Sequence, residues 1–246
     1  MGRDVRELRG AWTRYQRHAR HEPAPELAPW VERYWEAHWD YAEPYHQKIV
    51  PYPNVHLSFG DGHAAVNGVV SGFQVRVLEG TDHVFGVAVR PGCFRPFLGA
   101  PVSSITDRVV PVTEVFGAAP ARADRDTVEE FLLARLPEAD PRTAEAAGAV
   151  GLIAANPALT RVETLAGELG VSVRGLQRLF ADYVGIGPKW VIRRYRLHEV
   201  TERMAAGGEI DWAALASDLG YADQGHFIRD FKSMFGEPPT WYAERY

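Results

Sequence analysis

Leu165–Gly185 reads LAGELGVSVRGLQRLFADYVG, and a shift of fifty residues brings the chain to Leu215–Gly236, LASDLGYADQGHFIRDFKSMFG. A device spelled twice must fold twice, and each copy specifies two short helices about a glycine turn. In the first copy Thr160 stands three residues before Glu163, the spacing of a capping box that would start a helix running through Leu169. Gly170 supplies the turn, because glycine alone takes a positive φ without steric cost. Ser172 then caps a second helix. On that helix Leu176, Leu179, Phe180, Tyr183 and Val184 fall on one side, with Val173, Arg174, Gln177, Arg178 and Ala181 on the other.

The second copy repeats the plan. Leu215, Ala216, Leu219 and Gly220 match Leu165, Ala166, Leu169 and Gly170 at a shift of 50, which becomes 51 beyond the turn. Asp223 then takes the place of Ser172, Phe227 of Leu176, Arg229 of Arg178, Phe231 of Phe180 and Gly236 of Gly185. Its outward face carries Gln224, Gly225, Ile228, Arg229 and Lys232. Two helices meeting through a glycine turn, the second exposing Arg and Gln, is a plan for entering a major groove. There Arg can pair with guanine and Gln with adenine. Between the copies, GPKWVIRRYRLHEVTERMAAG predicts one helix begun by Pro188. It would set the separation of two readers, which need roughly 34 Å to occupy successive major grooves.

A net charge of −5 and a pI near 6.0 argue against a nucleic-acid binder until the charge is mapped along the chain. Arg161–His198 holds seven basic residues against three acidic ones, whereas Glu199–Tyr246 holds four against nine. The positive field is local to the first copy and the linker. Apolar residues make up 46% of the chain, enough to bury a real core, and 246 residues suit two modest domains. The single cysteine, Cys93, rules out an internal disulfide or a multi-thiolate zinc site and fits a reducing compartment. Charges in MGRDVRELRGAW and the lack of a long apolar run predict a soluble, unexported, cytoplasmic protein with no membrane partner.

Residues 3–20 predict a short helix with a weak stripe of Leu8, Trp12 and Tyr15, ended by prolines. From about 30 to 112, short β-branched and aromatic runs alternate with Gly-Asp-Gly, Asn-Gly and Gly-Thr-Asp turns, predicting an all-β barrel or sandwich. Helical spacing takes over at Val128, Phe131, Leu132 and Leu136, and PEADP at 137–141 is the best linker. The Val128–Leu136 stripe would either pair with its copy in a dimer or cover the β region, with the dimer slightly favoured. The fold class is therefore α+β, with an N-terminal domain over 1–137 and an all-α domain over 142–246 whose helix-turn-helix motifs lie at about 161–185 and 211–236.

Residues 142–246 resemble the DNA-binding domain of AraC/XylS-family transcription regulators. ALASDLGYADQGHFIRDFKSMFGEPPTWYAERY is similar in order and spacing to that family's second motif, and GIGPKWVIRRYRL resembles its linker helix. The resemblance implies base contacts at Arg174, Gln177 and Arg178 in the first reader and at Gln224, Ile228 and Arg229 in the second. Gly225 and Ile228 depart from a strong reading surface, one lacking a side chain and the other lacking a hydrogen-bonding group. Ser172, Arg193, Arg194 and Lys232 are candidates for phosphate contact, which positions a protein without reading sequence. LAPWVERYW, VPYPNVHLSF, FGVAVRPGCF and APVSSITDRVVPVTEVFG resemble a cupin-like sensor domain found before such DNA-binding domains, which implies effector binding or dimerisation.

The reading is of a sequence-specific DNA-binding transcription regulator without catalytic residues, partnered by double-stranded DNA, a small-molecule effector, RNA polymerase and a second copy of itself. Trp35, Trp39, Tyr45 and His56 are the candidate effector pocket, although core packing competes for the whole aromatic cluster. A cupin-like metal enzyme with an ancillary helical domain is the alternative, as is a constitutive binder without an effector. His46, His56, His63 and His83 lack the paired spacing with a following carboxylate that a metal cupin would show, so neither a metal nor a cofactor is expected. Cys93 suits a small buried residue better than a redox sensor.

Overall fold

The computed structural model describes residues 15–60, 62–207 and 209–244. Most of the helix expected over 3–20 lies outside them, and from Gln16 onward the expectation fails. Gln16–His21 is a strand, β1, whose backbone pairs with Trp39 back to Tyr34 instead of closing on itself. It is followed by β2 (Val31–Ile49), β3 (His56–Gly60), β4 (His63–Asn67), β5 (Gln74–Val89), helix α1 (Arg95–Leu98), a 3₁₀ turn (Val102–Ile105), β6 (Val109–Pro111) and α2 (Val112–Phe116). Then come α3 (Arg125–Leu133), α4 (Pro141–Ala155), α5 (Val162–Glu168), α6 (Val173–Leu179), a π turn (Phe180–Val184), α7 (Pro188–Ala206), α8 (Trp212–Asp218), α9 (Gln224–Phe235) and α10 (Pro239–Ala243). The α+β class is as the sequence implies.

The β region is a single antiparallel sheet in the order β1-β2-β5-β3-β4-β6, with β1 and β6 at its edges. Its two long strands double back. Residues 42–44 of β2 face a single residue of β5 between the Tyr41–Gly80 and Tyr45–Leu78 pairs, a bulge that bends the ribbon. Arg76 and Ala88 would lie about 40 Å apart on a straight strand. Yet Arg76 Nη2 donates to Asn67 Oδ1 at 3.1 Å, and Asn67 pairs with His56, which lies opposite Ala88. Gln47 likewise accepts a bond from Gln16 across the fold, at 3.0 Å.

One face of the sheet is an apolar core. Tyr34, Leu57, Phe59, Phe85 and Val87 pack there beneath α1, α2 and α3. The amphipathic stripe on α3 is part of this core: Val128, Phe131 and Leu132 are buried, and Phe131 meets Phe116 at 5.5 Å. The stripe therefore covers the β region and is not free to pair with its copy, which corrects the slight preference for a dimer helix. Burial of such side chains contributes roughly 1.5–3 kcal/mol each.

The helical part has two further cores. One joins α4 to the first reader through Ala146, Val150, Ile153, Leu165, Leu176, Phe180 and Tyr183. The other joins α7 to the second through Leu197, Val200, Leu215, Phe227, Phe231 and Phe235, with Val50 of the β region among them. No helix among the described residues is long and apolar enough to cross a membrane.

Candidate nucleic-acid interface

Both expected helix pairs are present. Gly170 and Gly220 turn the chain at φ of +65° and +72°. Ser172 Oγ accepts from the Gly175 amide at 3.0 Å, and Asp223 Oδ1 accepts from the His226 amide at 2.7 Å, so each second helix is capped as its sequence implies. The capping box at Thr160 does not form. The first helix starts after Arg161 without a side-chain cap, and the Thr160 methyl lies 3.2 Å from where a Cβ on Gly220 would stand.

Arg174, Gln177 and Arg178 are exposed on one side of α6, while Leu176 and Leu179 are buried on the other. None of the three outward side chains has a hydrogen bond or ion pair within the described residues, so their donors are available to a duplex. On α9, Gln224, Arg229 and Lys232 are exposed in the same sense. Ile228 is half-buried against the second helical core, so it offers at most an edge of apolar surface. Gly225 leaves room that Arg229 uses, since a Cβ there would stand 3.3 Å from Arg229 Nη1.

Of the linker arginines, Arg194 is buried, and Arg193 and Arg196 already hold a protein carboxylate. Arg194 is 1% exposed; its Nε donates to the Pro51 carbonyl at 2.7 Å, and its guanidinium lies 4.1 Å from the Tyr52 ring centre. Arg193 pairs with Asp230 at 2.5 Å and bonds Ser233. Arg196 reaches the other Asp230 oxygen at 3.6 Å and lies over the Tyr221 ring. Tyr221 donates to the same carboxylate at 2.7 Å; burial and then that bond push its pKa far above the usual tyrosine value. These cations fasten α9 to α7. Helical periodicity carried the signal for Arg194, which falls on the buried stripe of Val191, Leu197 and Thr201.

The β region touches both readers. Thr106 Oγ1 donates to the Gly185 carbonyl, which closes the π turn after α6, and a Cβ on Gly185 would come within 2.8 Å of Val102 Cγ1. Tyr52 OH lies 2.5 Å from His198 Nδ1 on α7, and the Trp190 indole donates to the Ser71 carbonyl at 2.7 Å. Lys48 sits over Phe73, Trp241 and Tyr242.

The four candidate effector residues share one side of the sheet. Trp35 Nε1 donates to His56 Nδ1 at 3.3 Å, and Tyr45 stacks on Tyr41 at 4.9 Å. Strand parity places all of these on the face enclosed by the doubled-back ribbon. Trp39 has the same parity and lines a cleft with Tyr15, Arg17 and His83, its indole donating to the Glu79 carbonyl at 3.3 Å. Sequence reading missed Arg76, Asn67, Gln16 and Gln47 on the enclosed face, together with Gly86, where a Cβ would lie 2.0 Å from the Trp35 ring. Of the other histidines, His63 bonds Ser58 and His83 stacks on His38. Among the described residues no cluster of His, Cys, Asp or Glu could hold a metal ion. Cys93 is buried, and burial raises its thiol to about 11.

Two family models match the chain. Residues 165–245 match "Helix-turn-helix domain", and residues 19–111 match "Domain of unknown function (DUF6597)". Among solved structures, ToxT from Vibrio cholerae in a 1.65 Å crystal form is similar at 10% identity and a TM-score of 0.44, over 94% of this chain and 98% of that one. ToxT from Vibrio cholerae O395 matches at 12% identity and a TM-score of 0.43, with coverage of 94% and 98%. Wild-type ToxT from strain SCE256 with an unsaturated fatty acid bound matches at 12% and 0.40, with coverage of 94% and 95%.

Proposed function

From the premise that residues 165–245 are an AraC-type helix-turn-helix domain, we propose that the chain is a sequence-specific transcription regulator whose two readers enter neighbouring major grooves. The observation that carries the reading is the exposed, unpartnered set Arg174, Gln177 and Arg178, held outward by a scaffold that the chain builds twice. Linker helix α7 is 19 residues long, or about 29 Å at 1.5 Å per residue, which is on the scale of one duplex turn. Nothing in the arrangement calls for a chemical step.

In this reading the β region is the sensor, working in the cytoplasm as part of a homodimer that uses a surface other than α3. An effector bound on its enclosed face would bias the readers through Thr106–Gly185, Tyr52–His198 and Arg194–Pro51, contacts that join the two parts. Such bias requires the effector to bind the DNA-competent arrangement with a different affinity from the other. Selection of bound duplexes from a random pool, using the whole protein at a stated salt concentration, tests the proposal. An enriched motif with half-sites about one turn apart supports it. Failure to enrich any motif, with and without candidate effectors, overturns it.

A further inference from the structure

Each reader is seated on a core of its own. The two helical cores share no buried residue; they meet at Trp190, which packs against both, and Thr160 touches the Gly220 turn. Val191 and Ile192 at one end of α7 belong to the first core, and Leu197, Val200 and Met204 further along belong to the second. A helix that joins two such bodies sets their separation. It leaves each free to rock unless a large interface holds them together.

The β region supplies that restraint, and it holds each reader with a different part of itself. Residues 92–106 hold the first. A Cβ on Gly92 would stand 2.8 Å from the Ala147 nitrogen of α4, the Arg95 guanidinium lies 5.2 Å from the Tyr183 ring centre, and Thr106 bonds the Gly185 carbonyl. The ribbon limb beyond the bulge at 42–44 holds the second. Val50 is buried in that reader's core, Pro51 accepts from Arg194, Tyr52 bonds His198, and Ser71 accepts from Trp190.

Lys48 carries the limb's grip to the reading helix itself. Its ammonium lies 4.8 Å from the Phe73 ring centre and 5.8 Å from that of Tyr242, and a Cβ on Gly236 would come within 2.9 Å of it. Gly236 ends α9, whose last carbonyls form the negative end of the helix dipole, so a cation on β2 stands where that end attracts it. The aromatic faces add to the attraction. Tyr242 is tied to the same helix end, donating to the Phe235 carbonyl at 2.6 Å. The β region thus grips the readers at the π turn, the linker helix and the end of α9, while Arg174, Gln177, Arg178, Gln224 and Arg229 stay exposed. Contacts so placed orient the reading faces without masking them.

We propose that the ribbon limb is a splint between the readers, with Lys48 and Tyr52 as positioning residues that set which half-site spacing the protein accepts. The proposal rests on the two-reader reading above and assigns operator spacing to side chains outside the helix-turn-helix domain. One inserted base pair turns a half-site by about 35° and moves it by about 3.4 Å, which a rigid pair of readers rejects and a loose pair follows.

Two measurements on the full chain test it. Spin labels on Thr164→Cys and Ala214→Cys, equivalent exposed sites on α5 and α8, report the separation of the readers without DNA; Cys93, the one native thiol, is buried. The distance distribution should be narrow in the natural background and at least twice as wide when Lys48→Met and Tyr52→Phe are combined. Lys48→Arg, which keeps a cation over the rings, should leave it narrow. On the duplex enriched by selection, one base pair inserted between the half-sites should weaken binding of the natural chain at least tenfold and of the double variant no more than threefold. A merely structural role would lower Tm and weaken both duplexes alike, leaving their ratio unchanged. An unaltered distance distribution or an unaltered ratio overturns the proposal. So does tighter binding of the original duplex by the double variant, which would make the limb a brake on binding. The distance measurement needs no operator, so the splint and the two-reader reading can fail independently.

Discussion

The two helix-turn-helix copies share a packing plan and differ in nearly everything they present to solvent. Phe180 and Phe231 are both fully buried at matching positions, and Gly170 and Gly220 make the same left-handed turn. On the outer face the correspondence collapses: Gly225 stands where the first copy has Arg174, and Ile228 where it has Gln177, so only Arg229 repeats Arg178. The attachment differs too. Leu179 is a buried apolar contact in the first copy, whereas its counterpart Asp230 holds α9 to the linker through Arg193 and Arg196 and also accepts from Tyr221 of the turn before α9. Interior positions fix the fold, and surface positions were free to diverge in what they read.

The shared plan is the easiest part to break. Phe180→Ala and Phe231→Ala should each cost about 3–5 kcal/mol, measured by denaturant unfolding, because each empties a filled core site. A large difference between the two would show that the copies do not share a scaffold in energetic terms. Asp230→Asn should cost about 1.5–3 kcal/mol, the range for hydrogen bonds to a charged group, and should loosen the second copy alone. Protection of the α9 amides from hydrogen exchange should fall while that of the α6 amides holds. Equal loss in both helices would mean that the Asp230 cluster is not a local fastening.

The reading faces should separate the copies next. Arg178→Ala should weaken specific binding by about 1–3 kcal/mol and relax preference at one base pair. Arg229→Ala should cost less, because the first reader carries more positive charge and the positions of Arg174 and Gln177 are taken by Gly225 and Ile228 in the second. Equal losses in a competition assay would reject this ranking. The turns offer a smaller contrast. Gly170→Ala should cost about 1–2 kcal/mol for the left-handed backbone alone. Gly220→Ala should cost more, since its new methyl would also press on Thr160 at 3.2 Å, whereas nothing stands near Gly170.

What could be read from the sequence divides along the same line. Glycine turns, Ser172 and Asp223 caps and apolar periodicity are local signals, and the structure places the helix pairs where those signals put them. The Thr160 cap failed because a capping box is only a spacing, and here the Thr160 methyl packs against the second copy's turn. The doubled-back ribbon was out of reach, because a bulge is defined by a partner strand thirty or more residues away. Trp35 and His56 were legible as aromatic and polar neighbours of strands. Arg76 was not, because its bond to Asn67 joins stretches that only the bend in the ribbon brings together.

The last test runs the comparison backwards. If the second copy reads weakly because Gly225 replaced an arginine, then Gly225→Arg should recover a contact without unfolding the helix. The backbone permits it: Gly225 is not in the left-handed region, and a Cβ would meet the Arg229 Nη1 end of a flexible side chain at 3.3 Å and the capping Asp223 Oδ1 at 3.1 Å, as Ser172 Oγ stands 3.2 Å from the Cβ position on Gly175 of the first copy. The first copy already holds an arginine at this position on a helix capped in the same way. One added phosphate contact should steepen the dependence of log K on log salt by about 0.9. Titration of the binding constant against salt for the variant and the natural chain measures that slope directly. An unchanged slope with retained fold would mean that α9 does not lie close enough to DNA for its second position to matter, and the first copy would then be the main reader, with the second serving chiefly to orient it.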